Sequence, residues 1–145
     1  MNTDRYSDRE ELLNFIYKNA EMGEESIGYL LERVTDTRMR QHLKTQQKEY
    51  RSIMHEAHDQ FPGEMQTVGP VAKMSAKMMV DMKMMNDNTP SHVAQMMIKG
   101  STNGVIEITK KLKLYEGVGQ NAERLGQKLL DTEEHNIEKL KAFLG

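Results

Sequence analysis

Acidic residues interrupt the apolar stripes of two long helical segments, and this placement constrains the fold more than any other feature. Glu24 lies within the stripe of residues 13–31, and Glu133 lies within the stripe of residues 125–144. A carboxylate that faces the interior of a protein is costly unless it is hydrogen-bonded, paired or bound to a metal. Inward carboxylates on facing helices can hold two metal ions in a helical bundle. The pattern therefore predicts packed helices and makes a metal site conceivable.

The composition limits the classes of protein that the chain can belong to. Its 145 residues fit one domain, residues 1–145, and the formal net charge of −2 gives no field that would recruit nucleic acid or an anionic membrane. The absence of cysteine excludes disulfides, thiolate metal sites and cysteine nucleophiles. The N-terminus is polar and acidic, and no apolar run approaches the ~20 residues that span a bilayer. We therefore expect a cytoplasmic protein.

Apolar residues recur at helical spacing along most of the chain. Ser7 and Glu10 form a capping-box pattern, Asp36 lies in a break that supplies the next N-cap, and Ser91 and Asn121 are predicted to cap later helices. The predicted helices cover residues 8–34, 37–61, 70–85, 91–115 and 121–144. The fold class is thus all-α: a four-helix bundle with a short extra helix in the connection between the second and third long helices. One long crossover is the connectivity of ferritin-like bundles.

The first predicted helix and the corner after it contain Gly23, Glu24, Glu25, Glu32, Val34 and Asp36. These residues fit a first-helix signature that contains Asp-Gly-x-x-Gly-Tyr, a glutamate and a Val-x-Asp corner. In this the chain resembles an uncharacterised branch of the ferritin-like superfamily. Met22, Ser26 and Ile27 stand where the branch has Asp, Gly and Tyr, and Gly100-Ser101 stands where it usually has Gly-Glu. The segments 69–83 and 88–112 resemble the branch's next two helices. The resemblance implies a ferritin-like bundle of unassigned biochemical role.

The di-metal pattern of ferritin-like bundles is incomplete in this chain. That pattern needs a glutamate on each of two helices and Glu-x-x-His on the other two, because residues three apart reach the same ion. Asn136 follows Glu133 at the position for histidine, His135 is one residue out of register, and Gln46 takes the inward position before Glu49. The missing histidines count against an oxygen-activating di-iron centre.

An all-oxygen set of ligands remains, and it suits a hard ion such as manganese better than zinc or copper. The candidate metal ligands are Glu24, Glu49, Glu107 and Glu133, with Gln46 and Asn136 nearby. The favoured alternative is that these acids form buried or half-buried hydrogen bonds. Their predicted partners are Tyr29, Tyr50, Tyr115, Lys111 and one another.

Methionine is unusually frequent, with 13 in the chain. Met74, Met78, Met82 and Met85 recur at spacings of four, four and three, which places them on one helix face. We expect these residues to pack in the core or in a dimer. A groove for a protein partner and a Cu(I) site are the alternatives, because thioethers are adaptable in contacts and are soft ligands.

No motif for nucleophilic catalysis or phosphate binding is present, and the sequence favours a protein that is not an enzyme. The leading hypothesis is a structural or partner-binding bundle, which we expect to be a homodimer. The alternative is a protein that stores or handles iron or manganese through the four glutamates. A Cu(I)-handling protein carries the lowest weight.

Overall fold

The computed structural model describes residues 6–145, which form five α-helices and contain no strand. The helices are α1 (Asp8–Leu31), α2 (Thr37–Gln60), α3 (Pro70–Met84), α4 (Pro90–Leu114) and α5 (Gln120–Leu140), and a 3₁₀ turn follows at Lys141–Phe143. The predicted all-α class, with four long helices and a short one after the second, is confirmed. No helix within residues 6–145 is both long and apolar enough to cross a bilayer.

The predicted starts of the first two long helices are confirmed. The Ser7 hydroxyl accepts a hydrogen bond from the Glu10 backbone N–H at 3.1 Å, and the Glu10 carboxylate accepts one from the Ser7 N–H at 3.0 Å. Asp36 accepts a hydrogen bond from the Met39 N–H at 2.9 Å and caps α2. Each cap satisfies backbone donors that have no partner within the helix.

The two later caps were predicted at the wrong residues. Thr89 caps α4, because its hydroxyl accepts a hydrogen bond from the His92 N–H at 3.3 Å, and Pro90 then occupies the first helical position, which lacks an intrahelical N–H bond in any case. Helix α5 begins at Gln120 rather than after Asn121. Gly117, with φ of +86°, lies in the turn that separates the two helices, where a left-handed backbone favours glycine.

Helix α1 ends three residues earlier than predicted. The Arg40 guanidinium donates hydrogen bonds to the carbonyl oxygens of Leu31 at 2.6 Å and Val34 at 2.8 Å. These bonds satisfy carbonyls at the helix end and hold the corner that leads to α2. Val34 stays buried although it lies outside the helix.

The long helices share one apolar core. Helix α1 packs closely against α2, and α4 packs closely against α5; α5 also contacts α1 and α2, while α3 packs against α1. The largest fully buried apolar side chains are Leu12, Leu13, Ile16, Ile27, Leu30, Met39, Leu43, Ile53, Ile108, Leu129 and Leu140. The connection between α2 and α3 runs along α1, where the Asn14 side chain bonds both the N–H (2.8 Å) and the carbonyl (3.2 Å) of Gln66.

Candidate functional site

One carboxyl group lies inside the core. Glu133 of α5 is only 2% exposed, and its Oε1 accepts a hydrogen bond from the Tyr50 hydroxyl of α2. Ser101 of α4, itself buried, also hydrogen-bonds this carboxyl group. The predicted inward position of Glu133 and its predicted partner Tyr50 are therefore confirmed. Helices α2, α4 and α5 each contribute one polar side chain to this point in the bundle.

The hydrogen bonds continue from Tyr50 along α2. The amide Nε2 of Gln46 donates to the Tyr50 hydroxyl at 3.3 Å, and the amide Oε1 of Gln46 lies 3.2 Å from Nε2 of His42. Gln46 is fully buried, as its place in the apolar stripe predicts. A buried polar group is costly without partners, and this series of bonds supplies them.

Burial dominates the electrostatics of the site. Removal from water raises the pKa of Glu133 to about 7, and the negative charge of Glu49 adds to this, while the hydrogen bonds from Tyr50 and Ser101 act in the opposite direction. Burial, with the neighbouring Glu133, raises the pKa of the Tyr50 hydroxyl well above its usual value. Burial lowers the pKa of His42. At neutral pH, Glu133 is therefore present in both protonated and ionised forms, and Tyr50 remains a donor.

Two glycines make room for this pair of side chains. A Cβ atom at Gly104 would lie 2.8 Å from Oε2 of Glu133, and one at Gly23 would lie 2.6 Å from the Tyr50 ring. Nothing lies within 4 Å of a Cβ at Gly100. Gly104 of α4 therefore accommodates the Glu133 carboxyl group, and open space lies beside Gly100.

That open space is a cavity of about 400 Å³, with a size typical of sites for small molecules. Tyr50, Ser101 and Glu133 are its buried polar lining, while Lys83, Lys99, Asn103 and Glu107 lie at its exposed side. The apolar residues that line it are Met22, Leu30, Met79, Val80, Met96 and Met97. All five helices contribute residues to the cavity.

The four predicted metal ligands lie in different environments. Glu24 pairs with Arg51 on α2 (Oε2 to Nε, 3.2 Å), and Glu49 accepts a hydrogen bond from the Asn136 amide at 3.0 Å. Glu107 is exposed, with a Lys110 ammonium 3.8 Å away. Among residues 6–145, no group of three or more His, Cys, Asp or Glu side chains is arranged to hold a metal ion. The structure therefore does not bring Glu24, Glu49, Glu107 and Glu133 together.

The buried acid of α1 is Glu21, which the sequence pattern did not single out. Its Oε1 accepts a hydrogen bond from the Val68 N–H at 2.7 Å, and its Oε2 lies 3.2 Å from Nζ of Lys73. Glu24, predicted to point inward, is only partly buried. A shift of three residues along a helix keeps nearly the same face, so the apolar stripe alone could not separate the two acids. The difference arises because the α2–α3 connection covers Glu21.

Most methionines in and just after α3 face solvent. Val71, Met74, Met78, Met82 and Met85 form a stripe, called here the methionine face, and the four methionines are 58–72% exposed. The prediction that the four methionines share one side of the helix is confirmed. The prediction that these four methionines pack in the core of a single chain is wrong, because the buried residues of α3 are Val80 and Met84.

No protein-family model, curated protein or solved structure is significantly similar to this chain.

Proposed function

We propose that this protein is a non-enzymatic, ferritin-like helical bundle that binds a protein partner through the methionine face, and that this partner is a second copy of the chain. The observation that carries the proposal is the orientation of α3. Lys73, Lys77 and Asp81 of α3 pair with α1 and with the corner after it. The side chains of the methionine face are exposed to solvent.

Ion pairs fix α3 in this orientation. Lys73 lies 3.2 Å from Glu21 and 3.4 Å from Glu25 of α1, and Lys77 lies 3.4 Å from Glu32. One turn further, Asp81 lies 3.2 Å from a guanidinium nitrogen of Arg33. A rotation of α3 that buried the methionines would break all of these pairs, so the apolar stripe is held outward.

The size and shape of the stripe suit a helical partner. Scattered single apolar residues are normal on a protein surface, but a contiguous apolar stripe marks an interaction site. Spacings of three, four, four and three residues from Val71 to Met85 follow an eleven-residue repeat, which keeps a stripe nearly straight along the helix. Over 15 residues the stripe is about 22 Å long.

The charge of the stripe favours a second copy of this chain over an acidic or basic partner. Between Pro70 and Met82 the exposed side chains of α3 are all uncharged, because Lys73, Lys77 and Asp81 are engaged with α1 and the corner after it. Two copies can therefore meet across a twofold axis without like-charge repulsion. Methionine side chains adapt their shape to one another in such a contact.

The helix order supports the ferritin-like part of the proposal. The connection between α2 and α4 is long and contains α3, while the α1–α2 and α4–α5 connections are short, as in bundles with one crossover. Helix α5 also contacts both α1 and α2, so the four long helices pack as one bundle. The proposal does not include di-iron chemistry, because Glu133, Glu49 and Glu24 form hydrogen bonds and ion pairs with other side chains of the protein.

Sedimentation equilibrium of the full chain tests the proposal. We expect the wild type to be a dimer at about 100 µM and Met78→Glu/Met82→Glu to be a monomer with unchanged helical content, because a buried carboxylate without a partner opposes association. Leu114→Glu is the matched control, since Leu114 is as exposed but lies on α4. Met78→Leu/Met82→Leu keeps the apolar surface and should remain dimeric.

Two results would contradict the proposal. One is a wild type that stays monomeric at this concentration, whether or not it binds anionic lipid vesicles. The other is a dimer that persists in the double glutamate variant and dissociates in Leu114→Glu.

A further inference from the structure

The cavity beside Glu133 combines features that the partner-binding surface does not use. Met79, Val80 and Lys83 of α3 line it, and none of them belongs to the methionine face. Its most buried polar lining group is the Glu133 carboxyl group, which has hydrogen-bond donors, Tyr50 and Ser101, but no cationic side chain in ion-pair contact among residues 6–145. An ionised carboxylate in such a position lacks the counter-charge that buried charges normally have.

From this geometry we infer that the cavity binds a small organic cation, a protonated amine on a compact apolar body, whose ammonium group pairs with Glu133. The apolar body would contact the methionine and aliphatic walls formed by Met22, Leu30 and Met97. Glycine at position 104 keeps Oε2 of Glu133 free of a neighbouring side-chain carbon. The cavity therefore offers both parts of such a ligand a matching surface.

The distribution of charge around the cavity favours a cation. Lys83 and Lys99 also line it, but both are exposed, so water and salt screen their charges. Glu133 lies in a low-dielectric surrounding, where a charge–charge interaction is several times stronger than in water. An anion would meet the buried Glu133 carboxylate, and the Tyr50 hydroxyl already donates to Glu133. A divalent metal would need more ligands than this cavity brings together.

Titration of the full chain with three probes of equal length tests the inference: n-hexylammonium, n-hexanol and hexanoate, followed by two-dimensional amide NMR at about pH 8, where Glu133 is mainly ionised. We expect n-hexylammonium to shift the amide signals of residues around Ser101 and Glu133. Its affinity should exceed that of hexanol and hexanoate by at least about tenfold.

Three variants separate the ion pair from the shape of the cavity. Glu133→Gln keeps an acceptor for Tyr50 and should weaken n-hexylammonium binding by about tenfold or more. Glu107→Gln, at the exposed side, should change it by less than about threefold. Gly100→Leu keeps Glu133 but places a side chain into the open space; it should fold at least as well as the wild type, because leucine favours a helix over glycine, and should lose binding.

Equal affinity for n-hexylammonium and hexanol, or undiminished binding by Glu133→Gln, would overturn the inference and leave an apolar cavity. Preferential binding of hexanoate would overturn it in favour of an anion site at the lysines. Binding of Mn²⁺ by the chelator-treated protein, with loss in Glu133→Gln, would overturn it in favour of a metal site.

Discussion

Helices α3 and α5 are held in the bundle in opposite ways. In α5 the apolar side chains point inward, and a single acid, Glu133, enters the core and is satisfied there by Tyr50 and Ser101. In α3 three charged side chains pair with α1 and with the corner after it, whereas the methionine face is exposed. Burial therefore holds α5 in place, whereas ion pairs and only two buried residues hold α3.

The buried carboxylates Glu133 and Glu21 have different partners, and these partners determine what each carboxylate does in the structure. Glu133 has no counter-ion but has donors, so its burial is a local cost that the packed core of α5 sustains. Glu21 has both a counter-ion, Lys73, and a backbone donor, and it anchors a helix. The Glu133 carboxylate can therefore still form an ion pair with a ligand, whereas the charge of Glu21 is already paired within the protein and attaches α3 to α1.

The largest expected effect is the difference in stability between removing a buried side chain of α5 and removing an exposed side chain of α3. Leu129→Ala removes a fully buried side chain of α5 and should reduce the free energy of unfolding by about 2–5 kcal/mol. Met82→Ala, on the exposed face, should change it by less than about 0.5 kcal/mol in dilute, monomeric protein. Urea unfolding of both variants measures the difference, and similar costs would break the distinction between the helices.

The second prediction concerns the pH dependence of stability. Since the pKa of folded Glu133 is about 7 and its ordinary value is 4.5, the folded state keeps a proton that the unfolded state loses. The resulting stability is complete below about pH 4.5 and is lost as the pH rises to about 7, by on the order of 3 kcal/mol. Glu133→Gln should abolish this loss in urea unfolding series, whereas the exposed Glu138→Gln should retain it. The prediction would be contradicted if the wild type became more stable from pH 5 to pH 7 and Glu133→Gln removed that increase.

The smallest expected effect concerns the attachment of α3. Lys73→Ala removes the pairs with Glu21 and Glu25 and should cost about 1 kcal/mol at low salt, because partly exposed pairs are screened by water. The difference from the wild type should shrink in about 1 M NaCl. Lys110→Ala, which removes an exposed pair with Glu107, is the control with no measurable cost. Thermal unfolding at both salt concentrations measures the effect, and a salt-independent cost would assign α3 to apolar packing instead.

Local sequence signals predicted much of the fold. Helical periodicity predicted the positions of all five helices, and the Ser7–Glu10 pattern specified the first residue of one of them. The missed caps at Thr89 and Gly119 lie where several polar residues compete for one position, so the backbone geometry of the turn decides. The end of α1 depends on Arg40, nine residues away from Leu31, and no local pattern reports that contact.

The candidate site was predictable only in part. The inward positions of Glu133 and Gln46 follow from the stripes of their own helices. The environments of Glu24 and Glu107 depend on the rotation of each helix and on Arg51 and Lys110, which the stripe does not encode. The cavity exists because Gly100, Ser101 and Gly104 leave a gap between packed helices, a property of three-dimensional packing that residue spacing does not contain.

The attachment of α3 by ion pairs has a consequence for amide hydrogen exchange. A helix that buries two side chains can separate from α1 without disturbing the rest of the core, so its amides should exchange through local opening while those of α5 require global unfolding. Each opening also removes Met79 and Val80 from the cavity wall. The exchange rate of the α3 amides would then measure how often the cavity becomes accessible to a solute. This rate should rise with salt concentration, because salt screens the ion pairs that attach α3.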